Sequence, residues 1–134
     1  MFNINKLRKY KNRIAIVDQN NETLSYSDLL IFVKILSKKI KTKSLIFLVC
    51  GNNLESIIGY ISSVSTNSTM VLIDEKIKNI HLQELIKTYK PEKIFINKSF
   101  KKFKSYKNKF CFKNFFLHER EIKTKVKINN NLIL

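Results

Sequence analysis

The chain alternates short runs of consecutive apolar residues with longer stretches in which apolar residues recur every three or four positions. The runs are residues 14–17, 45–49, 70–73 and 94–96. A strand covered on both faces has no polar side to expose, so such runs are typical of buried strands. The spacing of the intervening stretches is that of amphipathic helices. Strands and helices in this order predict an α/β fold of three layers, with helices on both faces of a mainly parallel sheet.

The start of this pattern predicts a hairpin, because the polar turn at residues 18–22 separates the first apolar run from the extended pair Thr23 and Leu24. Residues 13–97 are therefore predicted as the strand–helix core of one α/β domain that includes all 134 residues. A chain of this length can bury roughly two-thirds of its unfolded surface, and its hydrophobic content of 44% is that of a packed domain.

The helices have identifiable starts and ends in the sequence. Ser25 is placed to cap the first helix with its hydroxyl, and Asp28 is placed three residues later to complete a capping box. Pro91 disfavours helix at Lys90 and so ends the third helix. The residues predicted to face the core are Leu29, Phe32, Val33, Leu36 and Ile40 in the first helix, Leu54, Ile57, Ile58, Ile61 and Val64 in the second, and Leu82, Leu85, Ile86 and Tyr89 in the third.

Residues 98–134 form a basic segment that contains aromatic residues and lacks the regular pattern of the core. Its first part predicts a short helix or a loop, and its two aromatic runs predict one edge strand or two short ones. A polar stretch predicted as loop follows, and the last three residues have the apolar character of a strand that is cut short. These parts are, in order, residues 98–109, residues 110–112 and 115–117, residues 119–131, and residues 132–134.

The net charge of +16 raises the question of an anionic partner. Residues 98–134 carry 11 Lys/Arg and 2 Asp/Glu, whereas residues 1–97 carry 15 and 8. Lysines interleaved with Phe and Tyr between Lys98 and Lys113 could bind single-stranded nucleic acid. The alternative is that the rings cover the sheet edge while the lysines remain in solvent. Because the preference for Lys, Asn and Ile runs through the whole chain, we favour this second interpretation.

Cysteine usage and the terminal sequence favour a cytoplasmic protein without a membrane span. Cys50 and Cys111 have no metal-ligand spacing, and two isolated cysteines fit a reducing compartment. The sequence leaves open whether the two cysteines form a disulfide. Cys50 ends an apolar run and is interpreted as a small buried thiol. The first residues contain no apolar stretch of a signal peptide. The longest apolar run, residues 45–50, is too short to cross a bilayer.

The search for catalytic residues yields few candidates. His81 and His118 are the only histidines, and His118 precedes a glutamate without the second histidine that a metalloprotease helix requires. Asp74 and Glu75 follow a predicted parallel strand at the edge where open α/β sheets hold ligands, but adjacent side chains point apart, which favours a role in a turn. The two glycines form no phosphate-binding pattern. No catalytic, cofactor-binding or metal-binding residue is assigned.

Residues 13–97 resemble the N-terminal subdomain of the adenylate-forming superfamily, which contains acyl-CoA synthetases, adenylation domains of nonribosomal peptide synthetases, and luciferases. The family's "leucine-threonine-tyrosine-x-x-leucine" helix start is similar to residues 24–29, and its "asparagine-x-x-glutamate" helix start to residues 52–55. Residues 64–74 align with a further motif that ends in aspartate. Within that motif Asn67 stands where glycine is usual, and Leu72 where proline is usual.

The resemblance implies a parent enzyme that joins a carboxylate to ATP with Mg²⁺, then passes the acyl group to a thiol of CoA or a carrier protein. The family's phosphate loop, ribose-binding aspartate and catalytic lysine have no counterpart here, so this chain is expected to be an inactive N-terminal portion. Its expected partners are the remainder of that ligase and a second copy of itself through exposed apolar surface. The alternative is a separate basic module that binds nucleic acid or an acidic partner.

Overall fold

The computed structural model describes residues 4–41, 43–100 and 103–121. A 3₁₀ helix at Ile4–Tyr10 precedes the regular elements. These elements are β1 (Ile14–Val17), β2 (Thr23–Ser25), α1 (Tyr26–Ile40), β3 (Leu45–Cys50), α2 (Leu54–Ser65), β4 (Thr69–Asp74), α3 (Asn79–Tyr89), β5 (Lys93–Asn97), β6 (Tyr106–Phe112) and β7 (Phe115–Arg120). None of the described helices is long and apolar enough to cross a membrane.

The main sheet has five strands in the order β4-β3-β5-β7-β6. β3 pairs in parallel with both β4 and β5, as the strand–helix alternation predicts. β7 runs antiparallel between β5 and β6, so four of the five strands point the same way. β1 and β2 form a separate antiparallel hairpin, whose turn is held by Asp18 Oδ1 accepting the backbone N–H groups of Asn20 at 2.8 Å and Glu22 at 3.0 Å. The predicted hairpin is confirmed.

Helices cover both faces of the sheet, and two separate cores result. Alternate residues of a strand point to opposite faces. Ile46 and Leu48 therefore pack with α1 and α2 on one face, and Phe47 and Val49 pack with α3 on the other. All four are almost completely buried. The predicted α/β architecture of three layers is confirmed.

Each of the first two helices begins at a side-chain cap. Ser25 Oγ accepts the N–H of Asp28 at 3.1 Å, and Asn53 Oδ1 accepts the N–H of Ser56 at 2.9 Å. Lys78, which precedes α3, makes no such bond. The end of α2 is equally defined, because Asn67 follows it with a left-handed φ of 56°. That conformation is one that glycine adopts most easily and asparagine tolerates.

Six of the residues predicted to face the core are not fully buried. Two are exposed, Ile57 and Tyr89, and four are half-buried, Phe32, Ile61, Val64 and Leu85. In α2 the core face is completed by Ser62 and Ser63, which are buried although they are polar. The hydroxyl of Ser63 donates to Gly59 O at 2.8 Å, so its polar group is satisfied within the helix.

The segment after residue 97 differs from the prediction in two ways. Tyr106–Phe112 and Phe115–Arg120 form a hairpin of two full strands, whose second strand lies inside the sheet instead of at its edge. Glu119 and Arg120, predicted as loop, belong to β7, because pairing with β5 and β6 satisfies the backbone of polar residues as well as apolar ones. The loop predicted for residues 122–131 and the strand predicted for residues 132–134 lie outside the described residues.

Candidate functional site

The carboxyl ends of the parallel strands β3 and β4 form an open depression of about 390 Å³. This is the edge where open α/β sheets hold ligands. Its lining consists of Cys50, Gly51, Asn52 and residues 72–76. The loop between β3 and α2 is fixed by Ser56, whose hydroxyl accepts the N–H of Gly51 at 3.0 Å.

The two adjacent carboxylates of this edge have separate environments. Asp74 Oδ1 accepts the N–H of Lys76 at 2.9 Å, which is the turn role that the sequence predicts. The carboxylate of Glu75 lies above Gly51, and a Cβ built on Gly51 would stand 2.2 Å from Glu75 Oε2. The two carboxylates therefore have different contacts, and neither is assigned to acid–base catalysis.

The thiol of Cys50 lies beside these carboxylates and is half-buried. Its Sγ contacts the carbonyl oxygen of Ile73 at 3.6 Å. Burial raises the pKa of Cys50, and the negative charges of Asp74 and Glu75 raise that pKa further. Because the thiolate is the nucleophilic form of cysteine, the raised pKa disfavours a nucleophilic role for Cys50. Cys50 and Cys111 are both free thiols.

ATP and Mg²⁺, which the resemblance implies for a whole enzyme, do not fit these residues. Gly51 is the glycine nearest to the sheet edge, and the Glu75 carboxylate over it would repel a phosphate. Gly59 lies within α2 against the ring of Phe95 and cannot approach a ligand. Over the described ranges 4–41, 43–100 and 103–121, no group of three or more His, Cys, Asp or Glu side chains could hold a metal ion.

The glutamate of the second resembled motif has a structural position instead. Glu55 is buried in the first turn of α2. Its Oε2 accepts the N–H of Asn114 at 3.4 Å, in the turn that joins β6 to β7. Glu55 therefore links the start of α2 to the hairpin at the same edge of the sheet.

A second polar pocket, of about 440 Å³, lies at the other end of the strands, where β3 and β5 begin and β7 ends. Its centre is Lys93, which is only 7% exposed. Lys93 Nζ donates to Ser44 Oγ at 3.0 Å and lies 4.0 Å from Glu119 Oε2 on the neighbouring strand β7. The sequence did not predict this cluster, because the predicted strand begins at Ile94 and the predicted loop includes Glu119. The pairing register, which aligns Lys93 with Glu119, was the missing information.

The two histidines have different surroundings. His81 is exposed at the start of α3, with Nδ1 3.9 Å from Glu84 Oε2. His118 is 2% exposed, and the rings of Phe103 and Phe116 approach it edge-on. Burial lowers the pKa of His118, so its imidazole is neutral at pH 7. Its Nε2 has no hydrogen-bond partner among the residues that the structure describes, which makes His118 a core residue and not a proton-transfer group.

Lysines of the basic segment lie over aromatic rings at the surface. Lys98 Nζ is 5.8 Å from the ring centroid of Phe116, and Lys113 Nζ is 5.4 Å from that of Phe32. Phe112, Phe115 and Phe103 are buried in the two cores. These three rings thus pack against the sheet. This arrangement agrees with the interpretation that the aromatic residues cover the sheet while the lysines remain in solvent.

Comparison with known proteins gives a fold and no family. No protein-family model matches the chain, and no curated protein matches it. Among solved structures, the chain is similar to the luciferase-like enzyme from the nonluminescent mealworm Zophobas morio, with a TM-score of 0.54 and 23% sequence identity. The match covers 68% of this chain and 23% of that enzyme's chain. At this identity the likeness concerns the fold, and function has to be argued from sites.

Proposed function

We propose that this chain is the N-terminal structural portion of an adenylate-forming ligase. The observation that carries this proposal is the agreement of two independent likenesses. The resembled motifs at residues 24–29 and 52–55 fall at the starts of α1 and α2, and the motif at residues 64–74 runs from the end of α2 through β4. The fold that contains these elements is similar to that of a luciferase-like enzyme, and luciferases belong to the superfamily that the sequence resembles.

A departure from the resembled motif gives further support. Asn67 stands where glycine is usual, and its φ of 56° is a conformation that favours glycine. The N–H of Asn67 donates to Val64 O at 3.0 Å, and that of Ser68 donates to Ser63 O at 3.0 Å, which closes the end of α2. The backbone therefore explains why the motif has glycine at this position and why asparagine can replace it.

Within such a ligase, this portion acts as a packed layer and not as the reacting centre. At the carboxyl ends of β3 and β4, its ionisable groups are the Cys50 thiol, whose pKa is raised, and the carboxylates of Asp74 and Glu75, which have different contacts. The whole enzyme would activate a carboxylate with ATP and Mg²⁺ and transfer the acyl group to the thiol of CoA or of a carrier protein. These groups would be held by residues outside this chain. A cytoplasmic location is part of the proposal, because free cysteines suit a reducing compartment.

The test is carboxylate-dependent exchange between ATP and pyrophosphate. The coding sequence beyond Leu134 is read, and the longer product is assayed with a panel of carboxylates beside the 134-residue chain. We expect exchange only in the longer product. In that product, Ile58→Asp should abolish exchange because it places a charge in the core, whereas Glu75→Gln should leave exchange within about twofold. A stop codon directly after Leu134, or no exchange with a folded longer product, contradicts the proposal.

The alternative function, binding of an anionic partner, has one observation in its favour. Strand β6 carries the exposed lysines Lys107 and Lys109, in a chain of net charge +16. Titration of a single-stranded oligonucleotide at increasing salt tests it, because each neutralised phosphate makes binding more salt-dependent. Binding that falls steeply with salt, and falls again in a Lys107→Gln/Lys109→Gln variant, would favour this alternative over the ligase.

A further inference from the structure

The two edges of the five-stranded sheet are protected to different degrees. The edge strand β6 carries exposed Lys107 and Lys109, and its register with β7 shifts between Asn108 and Phe110. Lysines and bulges are features by which proteins keep a free edge from pairing with another chain. The opposite edge strand, β4, has an uninterrupted register with β3 over all six residues and carries no lysine, arginine or proline.

The unprotected edge adjoins an apolar groove of about 220 Å³ between β4 and α2. Leu72 is aligned with Leu48, which packs on the α2 face, so Leu72 lies on that face as well. Leu72 is 55% exposed, and across the groove Ile57 and Tyr60 of α2 are 37% and 47% exposed. A strand added beside β4 would direct every second side chain into this groove.

We propose that β4 pairs with β4 of a second copy of this chain, in antiparallel orientation. A register centred on Val71 places Met70 opposite Leu72 of the second copy and Thr69 opposite Ile73 of the second copy. The segment is therefore complementary to itself. A two-fold axis perpendicular to the sheet leaves both α2 helices on the same face, so the two grooves meet over one continuous sheet of ten strands.

Charge favours pairing through the β4 edge over pairing through the β6 edge. Two copies of net charge +16 repel each other wherever their lysines approach. Pairing through β4 places the two basic β6 edges at opposite ends of the sheet, roughly 43 Å apart at about 4.8 Å per strand. Because the Debye length is about 8 Å at physiological salt, these edges are screened from each other. The depression at the carboxyl end of β4 is lined by charges of both signs, from Asp74, Glu75 and Lys76.

The expected dimer is reversible. A six-residue strand with one flanking groove is small beside the roughly 800 Å² per partner that stable interfaces bury. Pairing through β4 does not depend on the ligase activity. A segment of a longer polypeptide could cover the same edge, and the free 134-residue chain is the form in which a second copy has access to it.

Sedimentation velocity over about a 100-fold concentration range tests the proposal by mass action. We expect the wild-type chain to shift from monomer to dimer and Leu72→Lys to stay monomeric, because the lysine would place a positive charge opposite Met70 of the second copy, in the apolar groove, and the two lysines would lie on the same face near the two-fold axis. The matched control is Ile31→Lys, which adds the same charge on α1 at 51% exposure and should dimerise like the wild type. Circular dichroism verifies that both variants are folded.

Two further measurements sharpen the result. Backbone amides of β4 should exchange more slowly with deuterium as the protein concentration rises, and those of β6 should not change. Higher salt should strengthen the dimer, because it screens the repulsion between two positive chains. A wild-type chain that is monomeric throughout, a folded Leu72→Lys variant that still dimerises, or a dimer that salt weakens would each overturn the proposal.

Discussion

Gly59 of α2 lies against the ring of Phe95 on β5, so closely that a Cβ built on Gly59 would stand 2.7 Å from Phe95 Cδ2. The same Cβ would be 3.0 Å from Leu48 Cδ1 on β3. Phe95 is almost completely buried and packs against the ring of Phe115, with ring centroids 5.0 Å apart. The buried ring has no space to move aside, so α2 can lie this close to the sheet only because residue 59 is a glycine without a Cβ.

Gly59→Ala should destabilise the fold. Overpacking a core costs about 1–3 kcal/mol, whereas replacing glycine by alanine in a helix contributes up to about 1 kcal/mol of stability. We expect a net loss of about 1–2 kcal/mol in the free energy of unfolding, measured by urea denaturation. Gly51→Ala is the control, because its Cβ would meet only the mobile end of the Glu75 side chain. Equal losses at both positions would contradict this account.

Removing the side-chain caps of α1 and α2 should weaken each helix by a similar amount. Ser25→Ala and Asn53→Ala each delete a bond to a free N–H of the first turn. A loss of about 1 kcal/mol in thermal or urea unfolding is expected for each. Lys78→Ala provides the comparison, because Lys78 precedes α3 without a capping bond. If Lys78→Ala costs as much as the other two, the capping bonds are not responsible.

Substitutions of Asn67 should raise or lower stability according to how well the new residue adopts a left-handed backbone conformation. Asn67→Gly should leave stability within about 0.5 kcal/mol or raise it slightly, whereas Asn67→Val should cost about 1 kcal/mol or more. The φ of 56° is the reason, since a β-branched side chain collides with the backbone in this region. Thermal unfolding of the two variants side by side measures the difference. A valine variant as stable as the glycine variant would mean that residue 67 changes conformation freely.

The buried pair of Lys93 and Glu119 should respond asymmetrically to substitution. Glu119→Gln leaves the Lys93 ammonium buried without a negative charge at 4.0 Å and should cost about 1–2 kcal/mol, less than for a fully buried pair because Glu119 is partly exposed. Lys93→Met should cost less, because Glu119 retains Lys109 at 4.0 Å. Urea denaturation of both single variants and the double variant gives the comparison. A larger loss for Lys93→Met would show that Lys93 stabilises mainly through its other contacts.

Stability should fall on acidification because of His118. Burial lowers the pKa of His118 in the folded state below its ordinary value of about 6.5. The unfolded state therefore binds the proton first, so this contribution to stability is complete above about pH 6.5 and is lost as the pH falls through the folded-state pKa. The imidazole contacts the rings of Phe103 and Phe116 and has Ile94 and Asn108 as strand neighbours, and none of these four residues carries a negative charge that would compensate the imidazolium.

Unfolding free energies measured between pH 7 and pH 5 test this dependence. His118→Leu should remove most of the change between these values. His81→Gln is the matched control, because the His81 side chain lies mainly in solvent and should leave the dependence intact. A pH dependence that is unchanged in His118→Leu would assign the effect to another group.

Much of the fold follows from local pattern. The strands at residues 45–50, 69–74 and 93–97 and the three helices lie where the apolar runs and stripes predict them, within one or two residues. The cap at Ser25 follows equally from sequence, because it depends on atoms three residues apart. The hairpin of β6 and β7 was predicted less completely. Its polar ends at Lys107 and Glu119 belong to the strands only because a neighbouring strand accepts their backbone hydrogen bonds.

The sequence by itself determined the class of fold, since the spacing of apolar residues decides between strand and helix within a few turns of chain. Tertiary structure alone decided what depends on residues far apart in sequence. The placement of β7 between β5 and β6 buries His118 and brings Glu119 to Lys93. It also leaves β4 as an edge strand of the sheet that the described residues form. Strand order sets these relationships through hydrogen bonds between distant backbone groups, and no local pattern of side chains records that order.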